Sequence, residues 1–228
     1  MSVAAPRIRT LGDSVVLVEL EPVIDPGVNA RVLGLARAIA RQRIAGVRDL
    51  VPAYASLAVH VDPLQTSTDA IAARVRALAG DPTGDAPLVE AGEIVVPVRY
   101  GGADGPDLAA VAAWAGLSEA EVVSRHAGRS YRVFMIGFLP GFPYLGVVDE
   151  SIAMPRLDAP RARVPAGSVG IAGRQTGIYP LESPGGWRLI GRCELALFDS
   201  QRDPPALFAP GARVRFEPAR SFATRGGT

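Results

Sequence analysis

Apolar positions in the first eighty residues fall into short runs of two different periods. Ser14 to Leu20 alternates apolar and polar residues as a strand does, and Arg7 to Thr10 can pair with it across Leu11-Gly12-Asp13. Val28, Val32, Leu35 and Ile39 then recur at helical spacing behind Asp25-Pro26, a capping residue followed by the residue best suited to the first helical position. Arg31, Arg37 and Arg41 lie off that stripe, on the side left to solvent. Gly46 breaks the pattern before two further strands, 47–52 and 57–61. A second helix is predicted from Ser67 to Ala79, with Ile71, Val75 and Leu78 facing inward and Thr66 and Asp69 at capping-box spacing. The order strand, helix, strand, strand, helix predicts a ferredoxin-like domain with a split βαβ core, residues 1–85.

A second pattern begins after residues 80–92, where two prolines and three glycines mark a linker. Glu93 to Tyr100 reads as a strand whose Pro97 argues for an edge or a bulge. A helix follows from Pro106 to Ala115, stopped by Gly116. Ser118 and Glu121 form a capping box for the next helix, which ends near His126 with Gly128 as a left-handed cap. Ser130 to Ile136 is again a strand, residues 187–198 alternate cleanly, and 213–217 close the pattern before a frayed end from Ala219. Residues 86–228 thus form a second domain of strands with a helix pair near its start, suited to a partly closed antiparallel β-barrel. The fold class is α+β.

Between Gly137 and Gly191 the periodicity gives way to punctuation. These 55 residues hold ten of the 25 glycines and seven of the 20 prolines, which excludes a helix and specifies a series of defined turns. Phe138, Pro140, Gly141, Phe142, Tyr144, Tyr179 and Trp187 are spread among those turns, and rigid aromatics of this kind line concave ligand sites or anchor interfaces. Gly167 to Gly173, including Ser168 and Gly170, is a candidate nest of backbone N–H groups for a phosphate or carboxylate. Arg163 and Arg174 flank it with forked donors, while Gln175, Thr176 and Gly177 follow with neutral groups suited to an amide. Arg156, Arg161 and Arg188 read as solvated surface charges.

Composition narrows the chemistry. Lys+Arg 24 against Asp+Glu 23 leaves a net charge of +1, without the basic excess of a nucleic-acid binder. Every basic residue is arginine, so a Walker-A lysine, a Schiff-base lysine and a lysine general base are excluded on this chain. Cys193 is the single cysteine, on a strand face with Leu195 and Leu197, and reads as a buried, inert thiol. With two separated histidines and no carboxylate cluster, no protein-bound metal is expected. His60 lies out of phase with its strand's apolar face, whereas His126, at a helix C-terminus favouring its charged form, is the one catalytic candidate of its type. Ala166-Gly167-Ser168-Val169-Gly170 lacks the strand-to-helix context of a nucleophile elbow. No signal-peptide core or membrane-length apolar run is present, so a soluble, cytoplasmic protein is expected.

The segments GFLPGFPYLG and VPAGSVGIAGRQTGIYPLESPGGW, with GGADGPDLAAVAAWAGLSEAEVV before them and LFAPGARVRF behind, resemble a bacterial family that goes by three names: the B subunit of 5-oxoprolinase, allophanate hydrolase subunit 1, and Kip-type histidine kinase inhibitor. The resemblance implies a cyclophilin-like barrel in the second domain. It also implies one component of an ATP-dependent 5-oxoprolinase, inactive alone, that works with an A subunit and with a C subunit similar to allophanate hydrolase subunit 2; magnesium would arrive only with the nucleotide. His126, Arg163 and Gln175 are then the catalytic candidates, and the aromatic and glycine positions above the binding candidates. A component of an allophanate or urea hydrolase, a kinase inhibitor and a peptidyl-prolyl isomerase are the other functions that the family and the barrel allow.

Overall fold

The structure, a computed structural model, describes residues 5–79 and 92–219. The chain divides into two units, Met1–Val89 and Glu90–Thr228. The boundary expected at 85/86 lies in 80–91, outside the described residues.

In the first unit, β1 (Arg7–Leu11) and β2 (Val15–Glu19) form an antiparallel hairpin. Helix α1 (Pro26–Gln42) starts as its sequence predicts, with the Asp25 carboxylate accepting from the N–H groups of Gly27 and Val28. Its end differs from expectation: Arg43, at φ 45°, is the left-handed cap three residues before Gly46. Strands β3 (Val47–Pro52) and β4 (Ser56–Val61) give the sheet order β1-β2-β4-β3, in which β4 separates β2 from β3, the split βαβ arrangement. The outer strand beside β2 comes from the beginning of the chain rather than its end. Helix α2 (Thr68–Ala79) is capped by Ser67, whose hydroxyl accepts from the Ala70 N–H, so the Thr66–Asp69 pairing is not used. Val16, Val18, Leu57 and Val59 pack with Val32, Ile39, Ile71 and Val75 in one core, as the two periods require.

The second unit is a closed barrel of seven strands, in the order β10-β7-β6-β13-β5-β12-β9. Its strands are β5 (Ile94–Tyr100), β6 (Ser130–Ile136), β7 (Pro143–Gly146), β9 (Ser168–Ala172), β10 (Gln175–Ile178), β12 (Arg188–Arg192) and β13 (Arg213–Pro218). A separate ribbon pairs β8 (Arg161–Val164) with β11 (Ser183–Gly185). The barrel is antiparallel except where β13 runs parallel to β5, and it closes fully rather than partly. That parallel pair joins segments about 120 residues apart, which no local turn could have announced. Pro97 is therefore inside the barrel wall rather than at an edge. It lies beyond the short ladder of Tyr100 and Arg99 with β12, where a missing N–H breaks no pairing in that ladder.

Helices α3 (Leu108–Ala115) and α4 (Glu119–Ala127) lie against β12 and β13 respectively. Ser118 and Glu121 form the reciprocal capping box that their spacing predicts. Gly128 keeps φ at −76°, so it is not a left-handed cap. A Cβ there would lie 2.6 Å from the Ser124 carbonyl oxygen, and close approach is the reason for glycine. The alternation of 187–198 persists as burial, but β12 ends at Arg192 and a bulge between Leu189 and Gly191 buries Ile190 as well. Ala219, expected to fray, donates its N–H to the Val98 carbonyl. No helix among the described residues is long and apolar enough to cross a membrane.

Candidate functional site

The turns after β6 build the most unusual surface of the barrel. The Leu139 N–H reaches back to the Gly137 carbonyl at 2.8 Å, closing a three-residue turn with Phe138 at its centre at φ 67°. A β-turn follows at once, with Pro140 and Gly141 in the middle and the Phe142 N–H on the Leu139 carbonyl at 3.0 Å. Gly141 supplies the positive φ of 80° that this turn needs, and a Cβ there would meet Phe198 at 2.8 Å. The result is a knuckle that holds Phe138 60% exposed. A bulky residue at positive φ is strained, and such strain persists only where the surroundings enforce it.

Beneath the knuckle lies an aromatic cluster centred on Phe142. Its ring meets those of Tyr144, Tyr179, Trp187 and Phe138 at centroid distances of 4.9, 5.2, 5.5 and 5.6 Å, three of them edge-to-face. Phe142, Tyr179 and Trp187 are buried, with Val164 and Leu189 packed among them, while Tyr144 is half-buried. Gly177 on β10 is the floor: a Cβ there would lie 3.0 Å from Trp187 and 3.1 Å from Phe142. Burial raises the hydroxyls of Tyr144 and Tyr179 above the ordinary tyrosine value, and the Arg156 charge opposes burial at both.

His126 stands apart from this surface. It is 0% exposed, and burial lowers its pKa from 6.5 to about 3, so it is neutral rather than charged by the helix end. The hydrogen bonds around it fix the tautomer. The Thr176 hydroxyl donates to the Gly170 carbonyl at 2.9 Å, so its oxygen accepts from His126 Nε2–H, also at 2.9 Å. Nδ1 is then the acceptor for the Tyr100 hydroxyl at 2.7 Å. Phe216 stacks on the imidazole at 4.5 Å, and Tyr131 donates to the His126 carbonyl. This closed chain ties α4 to β5, β9 and β10 and leaves His126 no surface on which to meet a substrate.

The other predicted groups are dispersed. Arg163 sits on the β8–β11 ribbon, 78% exposed at its side chain, with Nε and Nη2 on Glu182. Gly167, Ser168 and Gly170 do not form a nest. β9 is flanked by β10 and β12, and its N–H groups alternate toward the two neighbours instead of converging; the Gly167 N–H bonds the Tyr179 carbonyl. Gln175 opens β10, half-buried, opposite Gly146 and Ala172. Pro140 is exposed in the knuckle, and Thr176 belongs to the histidine chain. The structure thus brings together Phe138, Phe142, Tyr144, Gly177, Tyr179 and Trp187, and separates them from His126 and Arg163.

Two features escape the sequence reading. Asp107, buried before α3, accepts from the Leu189 N–H at 2.6 Å and from Arg161 at 2.7 Å, which makes Arg161 a structural clip rather than a solvated charge. Arg156 is exposed beside the aromatic cluster, and its only sequence signal is a proline on the preceding residue. Cys193 is buried and its thiol is pushed up by burial, as an inert cysteine should be. Among the described residues no group of three or more His, Cys, Asp or Glu is placed to hold a metal ion.

Comparison with known proteins places the chain in a family. Residues 6–208 match the carboxyltransferase domain, subdomain C and D. The chain is 44% identical over 215 residues to the B subunit of 5-oxoprolinase from Escherichia coli O157:H7, covering 94% of this chain and 96% of that protein. It is 40% identical over 224 residues to the B subunit of 5-oxoprolinase from Bacillus subtilis strain 168, covering 92% and 91%. The crystallised protein TTHA0988 superposes with a TM-score of 0.79 at 39% identity, over 94% of this chain but 41% of its own longer one. Kluyveromyces lactis urea carboxylase shares the fold, with a TM-score of 0.73 at 20% identity over 94% of this chain and 22% of that one. Matched by the domain family over 6–208 and by two relatives across nearly their whole length, the chain belongs to the family of 5-oxoprolinase B subunits.

Proposed function

We propose that this chain is one subunit of an ATP-dependent 5-oxoprolinase, which opens the lactam of 5-oxo-L-proline to L-glutamate with water, and that it is inactive without its C and A subunits. The observation carrying the reading is the 44% identity to a 5-oxoprolinase B subunit over 96% of that protein. The surface supports a binding and orienting role: a rigid aromatic cluster suits the apolar face of a small ring, and Gln175, paired with Ala172, which packs against that cluster, is the amide nearest to it along β10. Phe138, exposed on a strained knuckle, is the anchor for the C subunit. The longer chain of TTHA0988, of which this chain spans 41%, fits a unit that operates beside further protein.

ATP does not fit the glycine-rich stretch, because the Ser168 N–H is taken by the Pro165 carbonyl, the strand N–H groups after it alternate between β10 and β12, and the chain has no lysine. Nucleotide binding, with its magnesium, is therefore assigned to the partners, and the complex to the cytoplasm. The test is phosphate release with 5-oxo-L-proline by the chain alone, with the C subunit, and with the C and A subunits together. Turnover that needs the partners is expected. Full turnover by the chain alone overturns the division of labour, and inhibition of a histidine kinase without any turnover favours the regulatory alternative.

A further inference from the structure

The geometry points to Arg156 as the anchor of a binding site for a small carboxylate, on the segment held beside Tyr179 and Trp187. Arg156 lies in a stretch without regular secondary structure whose backbone is pinned on both sides. The Gly173 N–H bonds the Met154 carbonyl at 2.8 Å, Arg188 Nε bonds the Pro155 carbonyl at 3.0 Å, and the Leu157 N–H bonds the Gly186 carbonyl at 2.7 Å. Gly185, next to Gly186, lies against Tyr179 so closely that a Cβ there would fall 2.8 Å from the ring edge. The guanidinium thus springs from a rigid ledge at the rim of the aromatic cluster. Its charge acts on the hydroxyls of both Tyr144 and Tyr179, second to their burial at Tyr144 and after the Trp187 backbone bond at Tyr179.

What distinguishes Arg156 is an uncommitted fork. Its neighbours are engaged: Arg161 with Asp107, Arg163 with Glu182, and Arg188 with the Pro155 carbonyl. Among the described residues Arg156 makes no hydrogen bond and no ion pair. One planar fork matches one carboxylate with two parallel bonds, whereas a phosphate site calls for further uncommitted cations, and the arginines nearby, Arg161 and Arg188, are engaged with Asp107 and the Pro155 carbonyl. The ring of the ligand would lie toward Tyr144 and its carboxylate toward Arg156. On the lactam-hydrolase reading the carboxylate is that of 5-oxo-L-proline; the site itself does not depend on that identity.

The experiment compares wild type, R156A and R156K in the reconstituted complex. R156A is expected to raise KM for 5-oxo-L-proline about ten- to a hundredfold, the scale of one charge-assisted pair, and R156K less. The inhibition constant of 2-pyrrolidone, the same lactam without its carboxylate, should not move. An unchanged KM in R156A, an equal shift for 2-pyrrolidone, or weakened assembly of the complex at unchanged KM overturns the proposal. If the complex turns over no 5-oxo-L-proline, the isolated chain is titrated with succinamate and malonamate. The readout is the Trp187 indole N–H signal, identified with the aid of W114F. A shift lost in R156A then upholds the carboxylate site and sinks the lactam reading; no Arg156-dependent shift sinks the site.

Discussion

Two groups of side chains, joined through β10, use the same strand in opposite ways. On one side Thr176 closes the chain from Tyr100 through His126 to the Gly170 carbonyl, and every proton in it has a partner. On the other side, one residue along, Gly177 carries the Phe142 cluster, whose outer ring, Phe138, is exposed on a strained turn. Alternation along a strand explains the split, since successive residues face opposite sides of the sheet. The lesson concerns residue types. A histidine hydrogen-bonded to a threonine has the composition of a catalytic pair, yet complete burial makes it a structural pin. A phenylalanine has no reactive atom, yet exposure against a backbone penalty is what makes Phe138 the proposed anchor for a partner.

The largest effect expected is from Phe142→Ala, which removes the hub of four ring contacts and should destabilise the second unit by about 3–5 kcal/mol in denaturant unfolding. A loss below about 1 kcal/mol would mean that the cluster is not a packed core.

His126→Gln sharpens the other half of the comparison through pH. The folded pKa, about 3, lies below the ordinary 6.5, so the unfolded chain binds the extra proton between them. Stability from neutral His126 is full above pH 6.5 and is lost as pH falls toward 3, by up to about 1.4 kcal/mol per pH unit. In the window from about pH 4.5 to 6.5, wild type should lose stability on acidification, and the variant, less stable at pH 7, should have a flatter profile. Parallel profiles would show that His126 is not buried neutral.

Phe138→Ala should cost only about 1 kcal/mol of stability, the worth of its edge-to-face contacts, while weakening association with the C subunit by roughly 1–4 kcal/mol. Equal association of variant and wild type would reduce the knuckle to a structural turn. Arg163→Lys should have the smallest effect, within about 0.5 kcal/mol in stability, because its pair with Glu182 is exposed on both sides. An activity loss at unchanged stability would restore Arg163 to the site from which its geometry separates it.

Much of the first unit was legible because its signals are local. Asp25-Pro26 starts α1, and the period-2 and period-3.6 stripes mark the faces that meet in the core; in the second unit Ser118 with Glu121 starts α4 in the same way. That Phe142, Tyr179 and Trp187 stand out among so many turns was legible too, and the structure gathers them into one buried cluster. The errors have a common cause. Gly167 to Gly173 has the letters of an anion nest, but whether successive N–H groups converge depends on what lies alongside, and β10, β12 and the carbonyls of Tyr179, Pro165 and Met154 claim them. Gly128 and Thr66 were misassigned because a glycine or a threonine near a helix end serves several geometries.

What the sequence by itself determined is the elements outside residues 137–191, the starts of α1 and α4, the abundance of turns in that stretch (though not the five short strands β7 to β11 between them) and, through four long motifs, the family. Each depends on residues within a few positions of one another, where propensity and periodicity act. Only the tertiary structure decided that the barrel closes through a parallel pairing of β5 and β13, that His126 is sealed inside it, and that Arg156 and not Arg163 stands free at the aromatic rim. Those outcomes turn on burial and on which distant strand or carboxylate takes up a donor, and desolvation and pairing are properties of the assembled fold rather than of any segment.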